Sequence, residues 1–505
     1  MTINSVTRSS MNTDMLLTIR SELDTLQRQL GTGQKSNSFS GLGDARATSL
    51  NARAELASIE NYLQTIQRTD VTLSIMTDTV SRLDELALEV KGETLTTSLQ
   101  LDGGDRTTAQ ITSETRLREM VSLLNSDVDG RFLFSGLSSD TKPVVPLDRI
   151  LNGQGGEAGF VQVLDERSQA DLGGALSDPS LTGRLTLDTT ATVFSLTENG
   201  NDAFGFQLDV AAGASSSSPN ITVTGPAGAP TALSFDVTGP VDEGDTIRFN
   251  LQLPDGTDQL IVLSAASSRA DGDYSFVVDA DPLVTAANLG VAVTDIIDEL
   301  ARTELAAASA TRAGMDFFDN DPPLRVVPDP VDGLAGATSS AADPTTTVRW
   351  YQGEDSVLAD RETATSRIDD GLIINYGARA NEDALRTSVR EAVVFTTVRF
   401  DVTDPTSEER YQALAARVRD NLDDPTAATL PRSVALEVGT ASALMNSTKE
   451  RLTSERGVVQ SILDQTDGIS QEEVATRLLN LQTRLEASYT VTAILRDLSL
   501  TNFLR

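Results

Sequence analysis

The sequence predicts an α+β protein in which amphipathic helices at both ends of the chain enclose a β-rich, helix-poor insert. Three observations carry this reading. Near the C-terminus Val474, Leu478, Leu481, Leu485, Ser488, Thr492 and Leu495 recur at alternating spacings of four and three. Near the N-terminus Leu56, Ile59, Leu63, Ile66, Leu73, Met76, Val80, Leu83, Ala87 and Val90 keep the same rhythm. Between them, Thr246-Ile-Arg-Phe-Asn-Leu-Gln-Leu253 alternates polar and apolar residues, the period of a strand with one buried face. A narrow apolar stripe cannot face water, so each helical seam demands a partner along its length. That partner is either the other end of the chain or a neighbouring copy.

The elements follow in order. Residues 1 to about 30 form a first helix with Met15, Ile19, Leu23, Leu26 and Leu30 on one face, stopped by Gly31-Thr32-Gly33. A polar stretch, Ser36 to Asp44, leads into a long helix from about Ala45 to Lys91. A third helix, roughly Thr107 to Ser126, carries Ile111, Leu117, Val121 and Leu124, and Asp129-Gly130 ends it. The short connection makes the second and third helices an antiparallel hairpin. From about Phe132 to Pro330 short alternating runs take over. Ile247, Phe249, Leu251 and Leu253 share one strand face, Pro254-Asp255-Gly256 turns the chain, and Leu260 to Leu263 is the return strand. Gly213 to Pro219 and Gly225 to Pro230 are expected as loops. Leu283 to Ala308 reads as one helix. Asp319 to Pro330 and Ala335 to Thr347 read as a boundary or exposed loops, and Val348–Tyr351 and Leu372–Tyr376 as strands. Beyond about Asn381 helix returns through Val389 to Val394 and Glu408 to Leu422. After a loop, Asp424 to Pro431, helix runs from about Ser433 to Ile469. Ser470-Gln-Glu-Glu473 is a capping-box signal for the last helix.

Composition narrows the function. At 505 residues the chain exceeds one core, and three or four modules are expected. A net charge of −34 offers nothing to neutralise a run of phosphates, so nucleic acid is not an expected partner, nor is an anionic membrane surface. There is no Cys and no His, which excludes thiolate nucleophiles, Ser-His-Asp triads and imidazole-ligated metals. No enzyme activity and no cofactor are expected. No apolar run follows a basic start within Met1 to Arg20, and no window of eighteen apolar residues occurs, so neither a cleaved secretory signal nor membrane insertion is expected.

Weaker motifs have plainer readings. Gly31-Thr-Gly33-Gln-Lys35-Ser36 lacks the spacer and the preceding strand of a phosphate loop, and reads as a helix stop. Gly153-Gln-Gly155-Gly156 reads as a loop. Asp316, Asp319 and Asp321 miss the ligand order of a calcium loop and read as a solvated acidic stretch.

Several strings resemble a known family. Asp129-Gly-Arg-Phe-Leu-Phe-Ser-Gly136, followed by Thr141-Lys-Pro143, resembles a signature of the flagellin superfamily, in particular its hook-associated protein 3 (hook–filament junction) type; Gly130, Phe132, Phe134, Ser135 and Gly136 carry the match. Leu481-Gln482, Leu485-Glu-Ala-Ser-Tyr489 and Leu498-Ser-Leu-Thr-Asn-Phe-Leu504 are similar to the C-terminal helix of that superfamily, and Leu30-Gly-Thr-Gly33 to its N-terminal helix end. Ala203-Phe-Gly-Phe206, Trp350-Tyr-Gln-Gly353 and Tyr376-Gly-Ala-Arg-Ala-Asn-Glu382 look like junction proteins of the alphaproteobacterial type. The match is specific over 1–145 and about 430–505, patchy in the middle and weak from about 210 to 345, and the insert is long for a minimal junction protein.

The resemblance implies the following. Segments 1–44 and 456–505 pair as an antiparallel coiled coil for assembly, and 45–145 with 381–455 form a helical bundle. Residues 146–380 form the insert, which projects outward and divides near 320–345 if it holds two subdomains. The assembly seam would comprise Ile19, Leu23, Leu26, Leu30, Leu56, Ile59, Leu63, Leu478, Leu481, Leu485, Leu495 and Leu498. The implied role is a structural subunit of the extracellular bacterial flagellum, exported without a cleaved signal peptide. Its partners would be further copies, hook-associated protein 1, flagellin, an export chaperone and the flagellar type III export apparatus. A filament flagellin is the nearest alternative. An adhesin or binding module carried on the same helices is the alternative of another class, and a concave aromatic-lined pocket would mark it.

Overall fold

The computed structural model describes residues 3–503 apart from 97, 103, 271, 355 and 424–429; the side chains of 3–13 and 495–503 lie outside the description. The chain runs through α1 (Ile3–Thr32), α2 (Arg46–Glu93), α3 (Thr108–Leu124), the hairpin β1 (Asp127–Val128) and β2 (Arg131–Phe132), α4 (Leu147–Asn152) and α5 (Phe160–Leu172). Nine strands follow: β3 (Leu185–Thr190), β4 (Val193–Glu198), β5 (Gln207–Leu208), β6 (Ala214–Ser216), β7 (Ile221–Gly228), β8 (Thr231–Val237), β9 (Thr246–Gln252), β10 (Asp258–Ala266) and β11 (Ser275–Val277). Then come α6 (Pro282–Leu300), α7 (Ala306–Phe318), β12 (Leu324–Val327), β13 (Ser339–Ala342), β14 (Thr365–Asp369) and β15 (Leu372–Asn375). The chain returns to helix in α8 (Asp383–Thr397), α9 (Ser407–Asn421), α10 (Pro431–Asp467) and α11 (Gln471–Phe503). The fold is therefore mixed α+β, with helices at both ends and a strand-rich centre. The loop expected over Asp424 to Pro431 falls mostly on residues outside the description.

Two compact units are present, and the smaller takes in residues 1–70, 366–374 and 443–505. Here α1 lies beside α11. Along the first half of α2, Ser49, Ala52, Ile59 and Ile66 are buried, with Leu56 and Leu63 half-buried between them, the alternation the sequence predicts. The second half of α10 follows the same rhythm through Met445, Thr448, Leu452 and Val459. Ion pairs Lys449–Asp70 (3.5 Å) and Arg451–Asp369, with the Thr69–Ser366 hydroxyl contact at 2.9 Å, tie the two helices and the β14–β15 hairpin together. On α1 the seam is Leu16, Ile19, Leu23, Leu26 and Leu30. Met15, expected there, is 61% exposed. Leu16 stands three residues before Ile19, whereas Met15 would place two spacings of four in a row and drift off the stripe.

The larger unit, residues 71–365 and 375–442, begins with the second half of α2, whose Leu73, Met76, Val80, Leu83, Leu86 and Val90 are all buried. As predicted, α3 runs back antiparallel beside it, fastened by Arg82–Glu119 (2.8 Å), Arg116–Glu89 (2.7 Å) and Arg116–Glu93 (3.0 Å). Thr107 caps α3 in a capping box with Gln110, whose amide also donates to the Phe395 carbonyl at the end of α8. Helix α8 is buried on every face and is the axis of this bundle.

The strand-rich part is two antiparallel sheets, β3-β4-β8-β7 and β11-β10-β9-β5 with β6 also on β9, in which only the β10–β11 pair is parallel. The predicted hairpin is present, with Phe249 opposite Ile261 and Ile247 opposite Leu263. Phe194, Leu196, Phe235, Phe249, Leu251 and Ile261 fill one core with the inner face of α6 (Leu289, Val293, Ile297). The expectation of a helix-poor insert is corrected by α5 and by the α6–α7 run, which continues through a π-helical segment Ala301–Leu305 to Phe318. The expected loop Gly225 to Pro230 lies largely within β7. That edge strand absorbs Gly225-Pro226 as an irregularity between Thr224 and Ala227, where a missing N–H costs no ladder bond. Part of Gly213 to Pro219 is β6, and part of each stretch around 319–347 forms the β12–β13 pair. Val348–Tyr351 is not a strand: it makes isolated bridges and bonds, such as Val145 N–H to the Trp350 carbonyl at 3.1 Å.

Candidate assembly surface

In the smaller unit the last helix presents Val474, Leu478, Leu481, Leu485 and Ser488 as its inward stripe, at the spacings the sequence gives. Val474 alone is fully buried; the other four are half-covered. On α1, Ile19 and Leu26 are each 8% exposed, and Leu23 and Leu30 are half-covered. Thr492 is exposed, and the side chains of Leu495 and Leu498 lie outside the described residues. A second set of apolar side chains faces solvent: Met15 and Leu17 on α1, and Leu479, Tyr489, Val491 and Ile494 on α11, all at least 44% exposed. A groove of about 640 Å³ floored by Leu26 and Leu481 and edged by Glu22, Arg477 and Arg484 runs alongside.

The pair is anchored at one end by backbone. Gly33, at φ 66°, closes α1 by donating its N–H to the Gln29 carbonyl at 2.8 Å. Lys35 N–H then donates to the Asp467 carbonyl (2.7 Å) and Ile469 N–H to the Gly33 carbonyl (3.1 Å), an antiparallel bridge. The Lys35 ammonium donates to the carbonyls of Gln465 and Thr466, at the negative end of α10. The Asp467 carboxylate accepts from Ser49 Oγ (3.0 Å) and Arg53 Nη2 (2.7 Å). Burial would raise this carboxyl, but the Arg53 and Ser49 donors win and hold it below its ordinary 3.8. The contribution is thus complete above the unfolded value and lost as pH falls through the folded one. Asp467→Asn is expected to cost about 1 kcal/mol near neutrality, because Arg53 is half exposed, with the gap from the parent closing in acid. Hydrogen exchange at residues 465–469 against pH reads it.

The string 129–136 folds as a corner of the larger unit. Asp129 (φ 53°) and Gly130 (φ 77°) form the two-residue turn of the β1–β2 hairpin, and Gly130 N–H donates to Asp127 Oδ2 at 3.0 Å. Phe134 and Ser135 are fully buried, while Phe132 is half-buried. The Phe134 carbonyl accepts from Ala380 N–H (2.9 Å) and that of Ser135 from Glu354 N–H (3.0 Å). Gly136 has φ 65°, and an added Cβ would stand 3.3 Å from the Glu354 carbonyl. Gly136→Ala is expected to destabilise the unit by about 1–2 kcal/mol in urea unfolding, from left-handed strain and this contact. Leu133, Phe134 and Ser135 are buried in the fold, while Asp129, Gly130 and Arg131 at the turn face solvent.

The acidic stretch is not simply solvated. Asp316 is buried between Arg167 (3.2 Å) and Arg312 (2.9 Å), Asp319 pairs with Arg386 and Arg390, and Asp321 with Arg349. Arginines some distance away in sequence supply most of these partners, which is why the run looks free in the sequence. Trp350 is 3% exposed, packed on Phe318 and Tyr351, with its indole N–H on the Phe318 carbonyl at 3.2 Å, so its ring offers no open platform. Among the described residues no group of carboxylates is arranged to hold a metal ion, and no helix is long and apolar enough to cross a membrane. No protein-family model matches this chain, and no curated protein matches it either.

Proposed function

We propose that this chain is a structural, non-enzymatic subunit of the bacterial flagellum, a hook–filament junction protein of the hook-associated protein 3 type. The observation that carries the reading is the half-covered seam Leu478, Leu481, Leu485 and Ser488, with a second apolar set exposed on the same two helices. In a subunit of a tube, α1 and α11 pair as an antiparallel coiled coil and neighbouring copies cover what one chain leaves open. The strand-rich insert projects outward from that inner layer. The partners are further copies, hook-associated protein 1 on the hook side and flagellin on the filament side. An export chaperone and the flagellar type III export apparatus deliver the chain outside the cell without a cleaved signal. No nucleic acid or membrane insertion enters this role, nor does a cofactor or metal.

Deleting the gene and viewing cells and medium by electron microscopy tests this. Bare hooks with flagellin shed into the medium are the expected result, since filament subunits would lack an attachment point. Intact hooks and junctions with no filament protein made would identify the chain as the filament flagellin instead. Normal filaments would overturn both readings.

A further inference from the structure

We propose that a cleft beside the 131–139 loop of the larger unit binds a small amphipathic carboxylate, an acid group on a short apolar body, through Arg131 and Tyr376. The cleft measures about 340 Å³, at the small end of the usual range for small-molecule sites, about 300–1,000 Å³. Met76 of α2 and Leu133 line it at 1% and 8% exposure, and Phe132 and the largely exposed Leu137 add to its apolar surface. Backbone bonds hold its walls. Phe132 N–H donates to the Ser139 carbonyl at 2.7 Å, and Tyr376 N–H to the Ala364 carbonyl at 2.9 Å. Gly377 lets the two strands of the second wall approach, since a Cβ there would stand 2.5 Å from the Ala364 nitrogen. The shape is therefore set before a ligand arrives, which lowers the cost of binding one.

Two polar side chains line this cleft without a protein partner. The larger unit holds more than twice as many acidic as basic side chains, and nearly all of its arginines sit in ion pairs with them. Arg131 is exposed, yet it pairs with no carboxylate among the described residues. In so acidic a unit, a guanidinium left without a carboxylate is available for one from outside. The hydroxyl of the half-buried Tyr376 likewise bonds no described residue. A guanidinium and a phenol both donate, so their complement is an anionic acceptor, and a planar carboxylate matches the paired N–H groups of arginine. A cation would be repelled by Arg131. A bare inorganic anion would leave the apolar lining against water, whereas an acid with an apolar body covers it. All of these residues belong to the larger unit, so the site stands independently of the flagellar reading.

The experiment titrates the full chain with 3-phenylpropionate, followed by saturation-transfer NMR of the ligand. Three comparison probes separate the contributions: 3-phenylpropan-1-ol has the body without the charge, acetate the charge without the body, and 3-phenylpropylamine the opposite charge. The acid is expected to bind with a dissociation constant of about 1 mM or below, and the alcohol about tenfold more weakly. Acetate and the amine are expected not to bind. Hydrogen exchange at 132–139 and 376–378 should slow with the acid, which locates it. Arg131→Gln, a change at an exposed turn, is expected to bring the acid down to the affinity of the alcohol and leave the alcohol unchanged. Tyr376→Phe is expected to weaken the acid about threefold, and it carries the test if Arg131→Gln fails to fold. Equal affinities for acid and alcohol, or undiminished acid binding in Arg131→Gln, would overturn the proposal. So would failure of the acid to bind while an acetylated Leu-Glu-Leu peptide binds in an Arg131-dependent way, which would assign the cleft to an acidic protein segment.

Discussion

Replacing Leu481 by Asp is expected to abolish incorporation of the chain into flagella while leaving the strand-rich core of the larger unit folded. Leu481 is half-covered in the single chain, on the stripe of α11 and beside Leu26 at the floor of their groove. In the monomer the new carboxylate can reach water along that groove, with Arg477 and Arg484 nearby, so folding is largely spared. In the proposed tube the same position would be dry, and an unpaired charge there would cost several kcal/mol. In the proposed assembly that difference would act in every subunit contact, so a modest local change would become a complete loss of incorporation. Motility and negative-stain images of junctions read the result, and near-ultraviolet circular dichroism confirms that the aromatic core persists. Normal junctions built from the Leu481→Asp chain would remove this seam from the assembly surface. Thr483→Asp, a charge on an exposed position of the same helix, is the matched comparison and is expected to retain more function.

How much of this was legible depends on what each position buries. The seams of α2 and α11 could be read because Leu, Ile, Val and Met occupy nearly every inward position. The equivalent seam of α10 hides behind Thr448 and the half-buried Glu455, which keep the spacing while breaking the apolar identity. Helix α5 was invisible for a stronger version of the same reason. Its inward face includes Glu166, Arg167 and Asp171, all buried, so a periodicity search reads a core face as a polar one. Strand β7 was masked by Gly225 and Pro226, residues that punctuate a chain but are tolerated at a sheet edge. The lack of His and Cys removes imidazole and thiolate designs from the candidates. The partners of the acidic run around Asp316 were not legible, because a pairing over long sequence separations leaves no local pattern.

Arg167→Met is expected to destabilise the larger unit by about 3–5 kcal/mol at neutral pH, the cost of leaving buried charge without its partner. Arg167 and Asp171 are 5% and 0% exposed at their side chains. The guanidinium grips both oxygens of Asp171 (2.7 and 3.0 Å), reaches Asp316 at 3.2 Å and lies 4.4 Å from the centre of the Phe204 ring. Asp171 in turn accepts from Gly205 N–H (3.0 Å) and Ser309 Oγ (2.8 Å), so one cation organises α5, α7 and the loop before β5. Burial already raises the Asp316 carboxyl, with Arg167 and Arg312 working against it. Without Arg167 that restraint weakens and the carboxyl rises further. The variant's deficit should therefore shrink as pH falls below the new folded value, because a protonated Asp316 no longer carries the buried charge. Urea unfolding at about pH 7 and about pH 5 measures this, and the deficit should be the smaller at the lower pH. Adding Asp171→Asn and Asp316→Asn to Arg167→Met should recover part of the loss, as removal of a whole buried ionic group costs less than removal of one member. A deficit of equal size at both pH values would assign the cost to lost packing on Phe204 instead of to stranded carboxylates.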